Sequence, residues 1–341
     1  MRLDAISRLV ARRRLDQLLV CDPANVRAVT GVCCDNAVVT RDSFYTDFRY
    51  LPMARRSVPS GLAVRDIRRL SGAMPRGVGC RVGYESSMPH SRFLALRKLA
   101  PRAKFVDVSS DIAVLRAVKT ADEIAAIRAA AALNCEIWAE AKGRFAPGMT
   151  EREMARVVQR LMVGRGDGEA FPTIVCVGAN AAECHHEPDG TVWDGREPVL
   201  VDMGVKLGGV CSDLTRNIVP RRTSPRYRQA YDLVRRAHDA AIAAARPGMT
   251  AKALDRVARN VIRAGGMGRF FGHSLGHGVG YEIHEAPTVS SRGEMVLKEG
   301  MVFTIEPGVY LENDFGIRIE DMVLLTADGC ELLTKFGKIG T

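Results

Sequence analysis

The tetrapeptide Pro-Gly-Met-Thr occurs twice, at residues 147–150 and 247–250, and its surroundings recur with it. Each copy closes an Ala-rich stretch of helical character (125–142 and 231–246) and opens another (151–163 and 251–264). A histidine follows at nearly the same interval: His185 lies 38 residues beyond Pro147, and His284 lies 37 beyond Pro247. An acid in a strand-turn-strand pattern comes next, Asp202 after 55 residues and Glu306 after 59. Solenoid repeats recur every ~20–50 residues, so this longer period excludes that architecture. It fits a domain built by duplication, with a pseudo-twofold axis and both hairpins delivering acids to one central point.

The hairpins carry two acids each. VLVDMGVKLGGVCSDLTRNIV holds Asp202 and Asp213, and MVFTIEPGVYLENDFGIRIEDMVLL holds Glu306 and Glu320. Reflection about the Lys206–Gly209 turn sets Asp202 opposite Asp213, and reflection about Asn313 sets Glu306 opposite Glu320. Directly opposed residues of an antiparallel pair have Cβ atoms roughly 4.5–5.5 Å apart. Acids that close on an apolar strand face repel unless something cationic lies between them. A metal pair meets that need, because carboxylates bridge hard cations well. Six of the seven histidines lie between 185 and 284, three of them in GHSLGHGVGYEIHE, where the glycines allow close backbone approach. One imidazole with four carboxylates makes an oxygen-rich site for two divalent ions that favours Mn²⁺, with Co²⁺, Zn²⁺ or Fe²⁺ as alternatives. GHSLG at 272–276 also matches a serine nucleophile elbow. The Gly-rich, strand-like sequence after it is wrong for the helix an elbow requires.

The length of 341 residues predicts two domains. Residues 1–117 read as a small α/β domain, with helices at 3–13, 23–29, 62–70 and 91–99 between short strands. Residues 118–341 read as an α+β domain that begins with a capping box at Thr120–Glu123 and has a second at Thr150–Glu153. No apolar run approaches the ~20 residues that span a bilayer. The N-terminal stretch has an amphipathic pattern without the apolar block of a secretory signal. Nine cysteines, an odd number with no C-x-x-C, read as reduced thiols. These features predict a cytoplasmic protein without membrane contact. The net charge of +10 is uneven: residues 1–120 carry 22 Lys and Arg against 10 Asp and Glu, and the remainder carries 27 against 29. The basic residues are dispersed and lack interleaved aromatics, which argues against nucleic acid as the partner.

At FPTIVCVGANAAECHHEP, VLVDMG, CSDLTR, GHSLGHGVGYEIHEAP, EGMVFTIEPGVY and GIRIEDMVLLT the chain resembles the pita-bread metallohydrolases, which comprise methionine aminopeptidases, Xaa-Pro aminopeptidases, prolidases and creatinase. GIRIED and GYEIHEAP resemble the proline-specific branch, as do LLVCDPANVRAVTG and FYTDFRY in the creatinase-type N-terminal domain. The resemblance implies an α+β pita-bread fold with pseudo-twofold duplication, preceded by that smaller α/β domain. It implies metal ligation by Asp202, Asp213, His277, Glu306 and Glu320, with Asp213 and Glu320 bridging two ions. It implies active-site roles for His185 and His284 in substrate binding and catalysis. His185 rather than His186 is expected to take this role, because it falls seven residues after Gly178. Cys184 departs from the Pro or aliphatic residue that many relatives have there. Hydrolysis of the bond between an N-terminal residue and proline by a metal-activated hydroxide is the implied reaction, with Glu306 shuttling the proton. Peptides with proline at the second position are the implied substrates, and a homodimer the implied assembly. Alternatives are a dipeptide-only prolidase, a creatinase-like amidinohydrolase, or a non-catalytic binding protein. The last is opposed by retention of all five ligands and both histidines. Strand alternation puts Arg318 on the face of Glu320, where it could orient a carboxylate ligand or bind a dipeptide's terminal carboxylate, unless it is a surface arginine paired locally. Thr215 and Thr304, each two residues from an acid, are expected to hydrogen-bond near the site.

Overall fold

The computed structural model describes residues 2–335, 337 and 339–340. It divides into two compact units, Met1–Arg116 and Ala117–Thr341.

In the first unit, helices α1 (Leu3–Arg13), α2 (Pro23–Thr30), α3 (Leu51–Ser57), α4 (His90–Leu99) and α5 (Ser109–Ala117) alternate with strands β1 (Gln17–Leu18), β2 (Ala37–Val39), β3 (Ser43–Thr46), β4 (Ala63–Asp66), β5 (Arg81–Tyr84) and β6 (Lys104–Asp107). The strands form a parallel sheet β1-β5-β6 and a mixed sheet β2-β3-β4. Leu18, Val26, Val39, Phe44 and Ile112 meet in its core. One expectation fails here: residues 62–70 are not one helix. Ala63–Asp66 pair with β3, and Asp66 then accepts from the Arg68 amide to start a short 3₁₀ turn at Ile67. The Asp66 side chain competes for the backbone donors that a continuous helix needs.

The second unit shows the doubling directly. Helices α6 (Ala121–Arg144) and α7 (Glu151–Arg165) precede strands β7 (Gly168–Glu169), β8 (Ile174–Val177), β9 (Val199–Met203), β10 (Val205–Leu207), β11 (Val210–Cys211) and β12 (Leu214–Ile218). Helices α8 (Pro225–Ala244) and α9 (Ala251–Ala264) precede β13 (Gly276–Gly278), β14 (Glu285–Val289), β15 (Val302–Ile305), β16 (Gly308–Leu311), β17 (Phe315–Arg318), β18 (Asp321–Leu325), β19 (Cys330–Leu332) and β20 (Ile339–Gly340). Thr150 and Thr250 cap α7 and α9, after glycines with φ of 96° and 90° that only a residue without Cβ adopts easily. The turns are anchored alike. The Gly148 amide donates to Trp193 and the Gly248 amide to Leu297, while Trp193 and Leu297 donate back to Met149 and Met249. Both capping boxes expected from the sequence are present.

Each helix pair covers one sheet. Ile137, Trp138, Met154, Val158 and Met162 of α6 and α7 pack on Val175, Val199 and Val201 of the sheet β20-β12-β9-β8. Val234, Ala237, Leu254, Ala258 and Ile262 of α8 and α9 pack with Phe303, Ile305 and Val323 of the sheet β14-β13-β15-β18-β19. Burying one side of each sheet under helices leaves the ends of the central strands to meet between the halves.

Candidate active site

The two acidic hairpins differ in how well reflection locates their partners. Around Asn313, whose φ is +60°, Leu311 pairs with Phe315, Gly308 with Arg318 and Ile305 with Asp321, so Glu306 and Glu320 lie opposite as expected. In the first hairpin Asp202 faces Thr215, not Asp213. The reason is the turn: Leu207 pairs with Val210 around Gly208 and Gly209, both with positive φ, which moves the mirror by one position and the partner by two. A shift of two keeps the strand face.

Asp213, His277 and Glu320 bring one ligand atom each within 4.8 Å of one another. His277 Nε2 lies 3.4 Å from Asp213 Oδ2 and 3.3 Å from Glu306 Oε1. Its Nδ1 lies 3.1 Å from the Gly278 carbonyl, which can only accept, so Nδ1 carries the proton. Burial lowers the His277 pKa and keeps the ring neutral. A neutral imidazole thus aims a lone pair at two carboxylates. The glycines on either side of His277 permit this placement: a Cβ on Gly276 would lie 1.9 Å from the Thr304 carbonyl oxygen, and one on Gly278 2.1 Å from that of Ala286.

The acids are strained in the same sense. Burial, and then the negative charge of neighbouring acids, push Asp213 and Glu320 well above the carboxylate range. Burial pushes Glu306 up to about 8. Asp202 Oδ1 is buried with no hydrogen-bond partner among the described residues. A cluster of buried acids with an orphaned carboxylate oxygen and an aimed imidazole lone pair fits divalent cations, whose positive charge would satisfy all of these groups.

Two threonines orient the acids in matching ways. Thr304 Oγ1 accepts from the His277 amide at 3.0 Å and donates to Glu306 Oε1 at 2.9 Å. Thr215 Oγ1 accepts from Arg318 Nε at 3.1 Å and donates to Glu320. Arg318 is 4 % exposed, which excludes a surface role. Its fork also donates to Asp202 Oδ2 at 2.6 Å and to the Tyr310 hydroxyl at 2.9 Å. Behind Glu320, the buried pair Arg216–Asp321 (2.6 Å) holds the strand, and Arg216 donates to the Glu320 carbonyl.

A cavity of about 720 Å³ opens onto this cluster. His185 and His284 both line it, and His284 stands edge-on to His277 with ring centroids 4.3 Å apart. His186 turns its Nε2 to buried Glu151 at 2.8 Å. Tyr310 and His273 also line the cavity, joined by a 3.0 Å hydrogen bond, and sequence reasoning assigned them no role. Tyr310 was findable, because alternation from Glu306 puts residues 308 and 310 on its face. Glu151 was not: its carboxylate accepts from the amides of Val177 and Asp189, from Asn180 and from His186, partners up to 38 residues away. Ser274 is followed by strand β13, not by a helix, so the elbow reading fails structurally as well.

Residues 125–327 match the model of metallopeptidase family M24, and residues 2–118 match the creatinase/prolidase N-terminal domain. The chain belongs to metallopeptidase family M24. It is 39% identical over 255 residues to the Xaa-Pro dipeptidase of Pyrococcus horikoshii, covering 74% of this chain and 73% of that one. It is 30% identical over 348 residues to the Bacillus subtilis peptidase YqhT, covering 99% of both. Among solved structures it resembles a prolidase from Pyrococcus horikoshii (TM-score 0.92, 33% identity, 99% of both chains). It also resembles an X-Pro aminopeptidase from Thermotoga maritima (TM-score 0.85, 30% identity, 96% of this chain and 99% of that one). These relatives place the M24 chain in the prolidase branch with the pita-bread fold, as the sequence resemblance implied. M24 metallopeptidases act with divalent metal ions, and the cluster supplies candidate ligands for them. Among the described residues, no helix is long and apolar enough to cross a membrane.

Proposed function

We propose that this M24 metallopeptidase hydrolyses the peptide bond between an N-terminal residue and a following proline. Residues 1–117 form its creatinase-like N-terminal domain and residues 118–341 its catalytic domain. Asp202, Asp213, His277, Glu306 and Glu320 hold two divalent ions. The observation that carries this reading is the neutral His277 ring aiming Nε2 between Asp213 and Glu306, an arrangement of ligand atoms that divalent cations would satisfy. When bound, such ions supply Lewis acidity and water acidic enough to attack at neutral pH.

The chain's own residues do the rest. Thr215 and Thr304 fix the carboxylate orientations. His284, at the cavity wall, donates to the oxygen that becomes negative as the carbonyl is attacked. His185, which also lines the cavity, positions the substrate carbonyl or amide. Glu306 takes a proton at a carboxylate oxygen and passes it to the prolyl nitrogen as the C–N bond breaks. Four carboxylates and one imidazole favour manganese among the candidate metals. Nine free cysteines among the described residues support a reducing, cytoplasmic setting. The family resemblance supports a homodimer. The test is metal-stripped protein reloaded with single divalent ions and assayed on peptides with proline second. Manganese restores hydrolysis, and Asp213→Ala abolishes it with the fold retained. Absence of turnover with every ion would reject the proposal.

A further inference from the structure

The excess positive charge of the first unit has no part in the proposed hydrolysis, and it is concentrated. Between Asp66 and Asp107 the chain holds nine Lys and Arg and a single acid, Glu85. Glu85 is fully buried and accepts from the Cys21 and Asp22 amides and from the Asn25 side chain, so it puts no charge on the surface.

Several of these cations meet at one end of the parallel sheet β1-β5-β6. The Lys104 amide donates to the Cys80 carbonyl at 2.7 Å and the Gly79 amide to the Arg102 carbonyl at 3.3 Å, which ties the start of β6 to the loop before β5. Arg81 Nη2 donates to the Arg13 carbonyl at 3.3 Å and so joins the end of α1. Helix α4 ends beside them with Arg97 and Lys98 in its last turn. Arg14, Arg76, Arg97, Lys98, Arg102 and Lys104 are exposed, and none has an ion-pair partner among the described residues. Of the acids nearby, Asp16 accepts from the Arg81 amide at 2.7 Å, and Asp111 is held by Arg12 and Arg13. Cations favour helix C-termini, which accounts for Arg97 and Lys98 but not for Arg76, Arg102 or Lys104 in the loops and strand. Like charges gathered in this way repel, and an anionic partner relieves them.

Aliphatic side chains stand among the cations. Val78, between two glycines, is 82 % exposed, and Leu99 is exposed at the end of α4. The aromatic side chains of the same segments, Tyr84, Phe93 and Phe105, pack against one another instead of standing free as platforms for base stacking. Exposed aliphatic groups ringed by cations fit a lipid interface, where apolar groups enter the headgroup layer and cations meet the phosphates.

We infer that this end of the N-terminal unit docks on the surface of an anionic bilayer. Val78 and Leu99 enter the headgroup layer, and the surrounding cations bind lipid phosphates. Each basic side chain held near such a surface strengthens binding by about fivefold. The contact is peripheral and needs no spanning helix, so it sets aside the sequence-based expectation of no membrane contact without disturbing the fold. It does not depend on the proposed Xaa-Pro hydrolysis.

The experiment is co-sedimentation of the manganese-loaded full chain with vesicles of phosphatidylcholine alone or with about 30% phosphatidylglycerol. Partitioning onto the anionic vesicles is expected to be at least about tenfold stronger than onto the neutral ones, and to fall about tenfold or more between ~0.1 and ~0.5 M NaCl. Arg102→Glu with Lys104→Glu, both at exposed positions, is expected to weaken binding to anionic vesicles by at least about tenfold with far-UV dichroism unchanged. Arg97→Glu with Lys98→Glu, on α4, gives a second reading of the same charge should the first pair disturb the sheet. Val78→Asp is expected to weaken binding by about fivefold or more, which a purely electrostatic surface would show less strongly than a change at either cation pair. Equal partitioning onto the two vesicle types, or unchanged binding in both charge-reversed proteins, overturns the inference. So does tighter binding to duplex DNA than to anionic vesicles at the same salt, which would make the face a nucleic-acid surface.

Discussion

Arg318 Nη2 donates to Asp202 Oδ2 at 2.6 Å, while Oδ1 of the same carboxylate is buried without a hydrogen-bond partner among the described residues. One oxygen is held by the protein and the other is left for something the protein does not supply. The arginine therefore acts as an orienting clamp on a proposed metal ligand.

Arg318→Lys removes the planar fork but keeps the charge, and a point charge cannot hold Asp202, Thr215 and Tyr310 together. The variant should fold, with near-wild-type far-UV dichroism, and should lose about 10–100-fold in metal affinity or kcat/KM. Metal titration by calorimetry alongside peptide kinetics checks this. Wild-type affinity and rate would show that the clamp is dispensable.

Thr215 and Thr304 should behave as a matched pair. Valine keeps the shape of each but cannot donate to Glu320 or Glu306. Each single substitution should weaken metal binding by about 10-fold or more, in line with loss of a group that orients a ligand. An effect confined to one of the two would break the symmetry of roles that the hydrogen bonds describe.

Stability without metal should depend on pH in an unusual direction. Glu306 has its folded pKa raised from 4.5 to about 8, mainly by burial, and Asp213 and Glu320 are raised as well. A raised carboxyl pKa means the folded state binds protons more tightly than the unfolded one. The associated stability is complete below about 4.5 and is lost as pH rises through about 8. Metal-free protein should therefore melt at a lower temperature at pH 8 than at pH 6, and divalent ions should remove most of the difference while releasing protons. Calorimetric scans at the two pH values, with and without manganese, provide the comparison. Equal pH dependence in both forms would contradict it.

Glu151→Ala tests a different layer. The fully buried carboxylate gathers the end of β8, Asn180, His186 and Asp189, and so fixes the loop that carries His185. Burial disfavours charge on His186, yet hydrogen bonding and attraction to Glu151 raise its pKa overall. Breaking such a buried pair costs about 3–5 kcal/mol. Urea denaturation should show that loss. His186→Gln in the wild-type background should cost less, because the amides of Val177 and Asp189 remain bonded to the carboxylate.

Much of this was legible in the sequence because it is local. Asn313 centres the three-residue turn of the second hairpin, so reflection about it gives the register, and the PGMT copies carry their own helix cap and positive-φ glycine. The first hairpin misled because Gly208 and Gly209 share the turn, and nothing short of the ladder says where its centre lies. The alternation that named Arg318 stops at the strand face: its depth, and its commitment to Asp202 on another hairpin, are tertiary. Glu151 reads in sequence as the first residue of a helix, a common place for an acid. Only the return of residues 177–189 over the helix start turns it into a buried hub. The roles of His185 and His284 came from resemblance, since two loop histidines carry no local signal of what they face.

The central claim is that Asp202, Asp213, His277, Glu306 and Glu320 together hold two ions. An anomalous difference map from crystals equilibrated with manganese tests it most directly. Two adjacent peaks enclosed by these five side chains are the result expected here. A single peak, or density at Glu151, His186 and Asp189 with the acid cluster empty, would contradict it.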